Sequence, residues 1–268
     1  MTHRFATELQ ELKFSVRAAG KIALKYFHGE VKSWDKNPGD PVSEADLEID
    51  AFLKEHLLTA HPDYGWLSEE TADDKDRLTK SRVWIVDPID GTRSFIAGKP
   101  EFTISAALVE EGKPVVAALF NPVTDEFFEA VEGQGSRLNG RKLECGTKTD
   151  LTRIKLLASR KAFEWHKWLN EVPGAEFDHL NSIAYRIAVV ANKAFDASLS
   201  LSAKSDWDIA AADLILSEAG GITTTTKGEK LIYNQERPLH DTVISCGASL
   251  HPPLMTLLAD FIPVHKRK

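Results

Sequence analysis

Residues 84–92 read Trp-Ile-Val-Asp-Pro-Ile-Asp-Gly-Thr. An apolar strand ends at Asp87, Pro88 stops it by removing a backbone donor, and Asp90 follows three residues on. A turn of this kind aims two carboxylates, Asp87 and Asp90, into one crevice. The carbonyl of Ile89, between them, is free to serve as a further oxygen ligand. Hard divalent cations prefer such oxygen donors. Gly91 and Thr92 then open a helix, where backbone amides favour anions such as phosphate. A metal seat and a phosphate seat therefore adjoin within six residues. The plainer reading, acids that only cap a helix, suits an isolated DxxDG better than the full DPIDGT string after a strand.

Four other acidic residues suit the same chemistry. Glu69 and Glu70 follow the apolar stretch YGWL; as an isolated feature they are a solvated charge pair. Asp208 follows Trp207 at the start of an alanine-rich helix, where a favourable helix-dipole interaction is the simpler explanation. Asp46 stands three residues after Ser43, which is also the spacing of a capping box. Each has an ordinary structural reading alone, and together they outline a carboxylate cluster.

The elements that must position these acids are legible in the periodicity. Leu9, Leu12, Val16, Ala19, Ala23 and Phe27 recur at steps of three and four, the stripe of an amphipathic helix over roughly 5–28. The Gly/Pro/Asp-rich segment 28–42 reads as a loop. A second helix is expected from Ser43 to about His61. A charged segment, 72–81, leads into the strand at 83–87. Residues 103–109 and 114–120 read as strands joined by the hairpin turn EEGK, with another strand at 127–131. GQGSRLNG fails the GxGxxG pattern at Leu138 and reads as a turn. Further on, IKLLA and FDASLSL are strand-like and 181–193 helix-like. WDIAAADLILSEAGG is a strong helix closed by Gly220 and Gly221. TVISC is a buried strand, and HPPLMTLLADF a last helix with prolines in its first turn. This pattern predicts layered α and β structure, in one domain of two lobes, approximately 1–145 and 146–268.

Composition excludes several classes. The 268 residues carry 33 Lys and Arg against 40 Asp and Glu, a net charge of −7. Apart from HKRK at the end, taken as a frayed tail, no basic stripe points to direct nucleic-acid binding. Cations must then draw an anionic substrate to an acidic protein. No apolar run approaches a membrane span. The polar N-terminal stretch lacks a signal-peptide core, so the cytoplasm is the expected location. Cys145 and Cys246 read as small buried hydrophobes. HExxH, GxxxxGK[ST] and GxSxG are absent.

DPIDGT with the downstream WDIAAADLILSEAGG resembles the inositol monophosphatase family. The similarity extends to SEE, PVSEAD and FNPVTDEFFEAVEGQG and spans roughly residues 5–250. The resemblance implies a five-layered αβαβα sandwich and a lithium-sensitive, Mg²⁺-dependent phosphomonoesterase with two or three ions per site, Mn²⁺ being an alternative. By the same resemblance Glu69, Asp87 and the Ile89 carbonyl hold one ion, and Asp87, Asp90 and Asp208 a second. Thr92, backed by Asp46, orients the attacking water, the amides of Gly91 and Thr92 bind phosphate, and no covalent intermediate forms. Asp90 also contacts substrate, Glu69 shares in catalysis through a third ion, and the protein is a homodimer.

One departure bears on substrate. Inositol-specific members carry an acid about seven positions before the Asp of the WD motif; here Ser200 and Leu201 stand there, with Lys204 close by. Lys204, and the basic residue after Thr92, suit a second phosphate, as on 3′-phosphoadenosine 5′-phosphate; histidinol phosphate and sugar phosphates are alternatives. The rival from another class is a regulatory role in an RNA-associated transcription complex on the same fold. Asp90→Asn is expected to abolish turnover and leave the fold intact, because Asp90 should ligate metal rather than fill the core.

Overall fold

The structure, a computed structural model, describes residues 4–261; the HKRK tail lies outside them. Helix α1 (Ala6–Phe27) opens the chain and a hairpin, β1 (Ser33–Asn37) and β2 (Asp40–Ser43), leads to α2 (Glu44–Ala60). Next come β3 (Gly65–Ser68), β4 (Arg82–Asp90), the short α3 (Thr92–Ile96), β5 (Thr103–Glu110), β6 (Lys113–Asn121), β7 (Glu126–Val131), β8 (Ser136–Leu138) and β9 (Arg141–Lys142). The remainder holds β10 (Lys155–Leu157), α4 (Arg160–Trp165), β11 (Glu176–Asp178), α5 (Ile183–Ala191), β12 (Ala197–Ser200) and β13 (Lys204–Ser205). Helix α6 (Asp206–Glu218), β14 (Gly221–Thr224), β15 (Leu239–His240), β16 (Val243–Gly247) and α7 (His251–Leu257) complete it.

Strands β3 to β9 form a seven-stranded sheet in chain order, antiparallel except for the β3–β4 pair. Alternation along its central strands assigns the two faces. Trp84, Val86, Ala106, Leu108, Val116 and Ala118 pack beneath α1 and α2. Their neighbours Val83, Ile85, Ala107, Val109, Ala117 and Leu119 pack against α5 and α6. A five-stranded sheet, ordered β11-β10-β12-β16-β14, lies beyond those two helices. Its outer face, with Leu156, Leu199, Ile244 and Cys246, is covered by Phe163 of α4 and Leu254 of α7. The layers therefore run α, β, α, β, α. Each fully buried Leu, Ile or Val in these seams contributes roughly 1.5–3 kcal/mol, so the seams hold the site walls together.

Three local features differ from the sequence reading. The segment 28–42 holds the β1–β2 hairpin rather than only loop; β1 is exposed throughout, so no alternation marks it. The charged segment contains a 3₁₀ turn, Lys75–Thr79, whose Arg77 is buried with its guanidinium on Asp73 and Asn234. Pro88 does not stop its strand: β4 continues to Asp90, and the register against β5 shifts between Asp87 and Asp90. A bulge tolerates a residue without an N–H.

Candidate functional site

The β4 bulge is the centre of the site. It bends the strand end so that Asp87, Asp90, Gly91 and Thr92 border one cavity. Asp87 is buried, and one oxygen accepts the Ile89 amide at 3.0 Å. Burial, then the charges of Glu69, Asp90 and Asp208, push its carboxyl well above the usual range. Gly91 turns the chain with φ +103°, and a Cβ there would stand 2.8 Å from the carbonyl oxygen of Glu101. Only glycine meets both conditions without strain.

Asp90 does more than face the cavity. Its carboxylate accepts from the Ser182 hydroxyl at 2.5 Å, the Ala184 amide at 2.6 Å and the Ile183 amide at 3.3 Å. It thus caps α5 across the fold. Burial raises its pKa to about 6 while those three donors oppose the rise. The expectation that Asp90 has no part in holding the fold is corrected: part of its carboxylate is committed to tertiary structure.

Thr92 and Asp46 are brought together. The Thr92 hydroxyl lies 3.2 Å from Asp46 Oδ1 and 3.0 Å from the Ile89 carbonyl oxygen. Asp46 also accepts from the Ser43 amide and hydroxyl, so it is both the capping box of α2 and the acid behind Thr92. Burial is the main force raising it to about 6. Asp208 repeats the device: it accepts the Ser205 amide at 2.8 Å in the capping box of α6 while lining the cavity. Burial first, then Asp90, raises it to about 7. Glu69 lines the cavity from the end of β3. Lys36, on β1, donates to Glu69 at 2.9 Å and to Glu70 at 2.8 Å. Glu70 stands behind Glu69, raised to about 7 chiefly by burial.

Glu69, Asp87, Ile89, Asp90, Gly91, Thr92, Lys204 and Asp208 thus border a single cavity of about 370 Å³; Asp46 reaches it through Thr92. The donors are carboxylate and carbonyl oxygens, the chemistry of a hard divalent ion. Among the described residues, no three His, Cys, Asp or Glu side chains are grouped tightly enough to enclose an ion as they stand. Lys36, the Ile89 amide, the α5 amides and the Ser205 amide engage these oxygens instead.

The structure adds residues that the sequence reading passed over. Arg186 on α5 borders the cavity, as do His179 and Asn181 just before that helix; Arg93, already noted after Thr92, borders it too. A lone arginine within the apolar run IAYRIAVV was the available signal for Arg186. His179 and Asn181 sit in a loop with no pattern. Cys145 and Cys246 are free and buried, and burial pushes their thiols to about 11 and about 12. They are inert core residues.

This layered fold, with acids from distant segments gathered at one bulged strand end, belongs to the inositol monophosphatase family, whose model matches residues 6–259. Among individual relatives, the chain is 35% identical to an inositol-1-monophosphatase of Rhizobium meliloti over 87% of this chain and 88% of that one. It is 32% identical to the Nus factor SuhB of Haemophilus influenzae, over 79% and 83%. A crystal structure of the extragenic suppressor protein suhB from Bartonella henselae superposes with a TM-score of 0.81 at 26% identity, covering 94% of this chain and 98% of that one. An IMPase of Thermotoga maritima superposes with a TM-score of 0.79 at 26% identity, over 94% and 97%. No helix among the described residues is long and apolar enough to cross a membrane.

Proposed function

We propose that this protein is a Mg²⁺-dependent phosphomonoesterase acting on a small phosphate monoester by direct attack of water. The observation that carries the reading is the shared cavity: Glu69, the Asp87–Asp90 turn and Asp208 come from three separate stretches of chain and border it together with Thr92. Packing alone gives no reason to bury mutually repelling carboxylates, and a divalent cation does.

In this reading Glu69, Asp87 and the Ile89 carbonyl would hold one ion, and Asp87, Asp90 and Asp208 a second. A third, near Glu69, would compete with Lys36, and Mn²⁺ fits the same oxygens. Bound divalent ions would supply charge neutralisation and a more acidic water. The chain's own residues do the rest. Thr92 donates its hydroxyl proton toward Asp46, which leaves an oxygen lone pair to accept from and orient the attacking water. The amides of Gly91 and Thr92 receive phosphoryl oxygens. No side chain needs to form a bond to phosphorus. The resemblance further favours a homodimer.

Phosphate release from myo-inositol 1-phosphate, 3′-phosphoadenosine 5′-phosphate, histidinol phosphate and fructose 1,6-bisphosphate, each with and without Mg²⁺, tests this. Release from at least one only with Mg²⁺ supports it; release from none refutes it. A second reading, a component of a transcription complex, is favoured by the relatives named Nus factor SuhB. Co-purification with a transcription partner and no turnover would select that reading.

A further inference from the structure

We infer that Asp50, one helical turn along α2 from Asp46, is a positioning residue that fixes Glu69 for ion binding. This rests on the role that the proposed function gives Glu69, and deepens it.

Asp50 is buried, on the stretch of α2 that also buries Ile49 and Leu53. A carboxylate in such a place costs stability unless it is hydrogen-bonded. Its partners are two hydroxyls: Oδ1 accepts from Ser68 and Oδ2 from Thr71. Those hydroxyls bracket the glutamates. Ser68 is the last residue of β3, Glu69 and Glu70 follow it, and Thr71 comes next. One carboxylate therefore holds both ends of a four-residue stretch from which Glu69 borders the cavity.

The stretch needs such a hold. Beyond Ser68 its backbone links are long: the Glu69 amide donates to the Val86 carbonyl at 3.3 Å and the Glu70 amide to the Ser68 hydroxyl at 3.4 Å. Lys36 reaches Glu69 and Glu70 from the exposed strand β1, and it occupies the Glu69 carboxylate that an ion would use. Asp50 grips the stretch from the buried side and leaves that carboxylate untouched.

Asp46 serves Thr92 in the same manner, facing its hydroxyl at 3.2 Å. Asp46 and Asp50, four residues apart, share one face of α2. Strands β3 and β4 are parallel neighbours, with Ser68 opposite Val86. The helix thus spans both strand ends, with one acid on Thr92 and the next on the flanks of Glu69. A single helical turn sets the spacing between the two. Ligands held in place spare an ion the cost of ordering a loose segment. An apolar residue could fill the Asp50 position without burying a polar group; orientation of the Glu69 stretch explains the acid.

The electron paramagnetic resonance signal of free Mn²⁺ gives a Kd without turnover. Asp50→Ala should weaken Mn²⁺ binding by about tenfold to a hundredfold, the usual effect of removing a group that orients a metal ligand. Asp50→Asn, whose amide oxygen still accepts from one hydroxyl, should lose less. In Glu69→Gln protein, Asp50→Ala should change Kd by less than about twofold, because the carboxylate it positions is gone. If Asp50 only supported the fold, it would weaken binding by the same factor in both backgrounds. Leu53→Ala, an apolar loss on the same helix, should lower Tm and leave Kd within about twofold of wild type. The triple variant Asp50→Leu, Ser68→Ala, Thr71→Val leaves no polar partner unpaired. It should melt close to wild type and still bind Mn²⁺ weakly, which keeps the test open should Asp50→Ala not fold. Wild-type affinity in the triple variant, equal losses in the two backgrounds, the same loss in Leu53→Ala, or no Mn²⁺ binding by the wild type overturns the inference. If the wild type releases no phosphate in Mg²⁺ while the Mn²⁺ results come out as expected, the phosphatase reading fails and the role of Asp50 stands.

Discussion

Asp208→Asn separates a cation-binding carboxylate from a structural one. Asp208 accepts the Ser205 amide at 2.8 Å, and an asparagine oxygen can keep that capping bond while the charge is removed. In the ion-free protein, burial and Asp90 carry the carboxyl from 3.8 to about 7. The folded state then holds a proton that the unfolded chain releases near 3.8. The associated stability is complete below that pH and is lost as pH rises toward 7. Above 7 the ionised group opposes folding by about 4 kcal/mol, at 1.36 kcal/mol per pKa unit. The residue is only partly buried, so water screening brings this to about 2 kcal/mol. Thermal unfolding in EDTA should show the variant equal to wild type at pH 4 and about 4–8 °C more stable at pH 8. With saturating Mg²⁺ the order should reverse, because the wild type gains about 2.7 kcal/mol at one hundred times Kd and the variant gains little. An Asn variant less stable than wild type in EDTA at pH 8, or one that gains as much from Mg²⁺, would refute the reasoning.

Other outcomes follow from individual contacts. Asp90→Asn should abolish Mg²⁺-dependent phosphate release and also cost about 1–3 kcal/mol in urea unfolding, because an amide NH₂ would meet donors of Ser182, Ile183 or Ala184. Thr92→Val should lower kcat by about 10²-fold or more with little change in stability, while Thr92→Ser stays within about tenfold, since only the hydroxyl contacts Asp46 and the Ile89 carbonyl. Gly91→Ala should destabilise by about 1–3 kcal/mol, because φ is +103° and the added Cβ would press on Glu101; unchanged unfolding would show that the turn is not constrained.

Much of the fold was readable because it rests on periodicity. The α1 stripe specifies a helix and the face it buries, while the continuous apolar runs of β5 and β6 and the apolar length of α6 specify elements buried on both sides. What stayed hidden lacks a local signature. The β1–β2 hairpin is exposed, and β13 and β15, two residues each, exist only by pairing with each other. Pro88 read as a strand end because the register shift that accommodates it belongs to the β4–β5 pair rather than to the sequence. At the site, DPIDGT announced its chemistry through spacing, and Ser43 with Asp46 announced a cap. The link from Asp90 to α5 spans more than ninety residues, and no local rule shows it. Arg186 was screened by the apolar helix that carries it.

The most direct test of the central claim is phosphate release as a function of Mg²⁺ concentration, for wild type and Asp87→Asn, with glycerol 3-phosphate, 3-phosphoglycerate and myo-inositol 1-phosphate as substrates. The account predicts saturable dependence on Mg²⁺, loss in EDTA, recovery on adding the ion back, and a fall of at least about 10²-fold in the variant. Release that persists in EDTA, or wild-type rates in the Asp87→Asn protein, would contradict it.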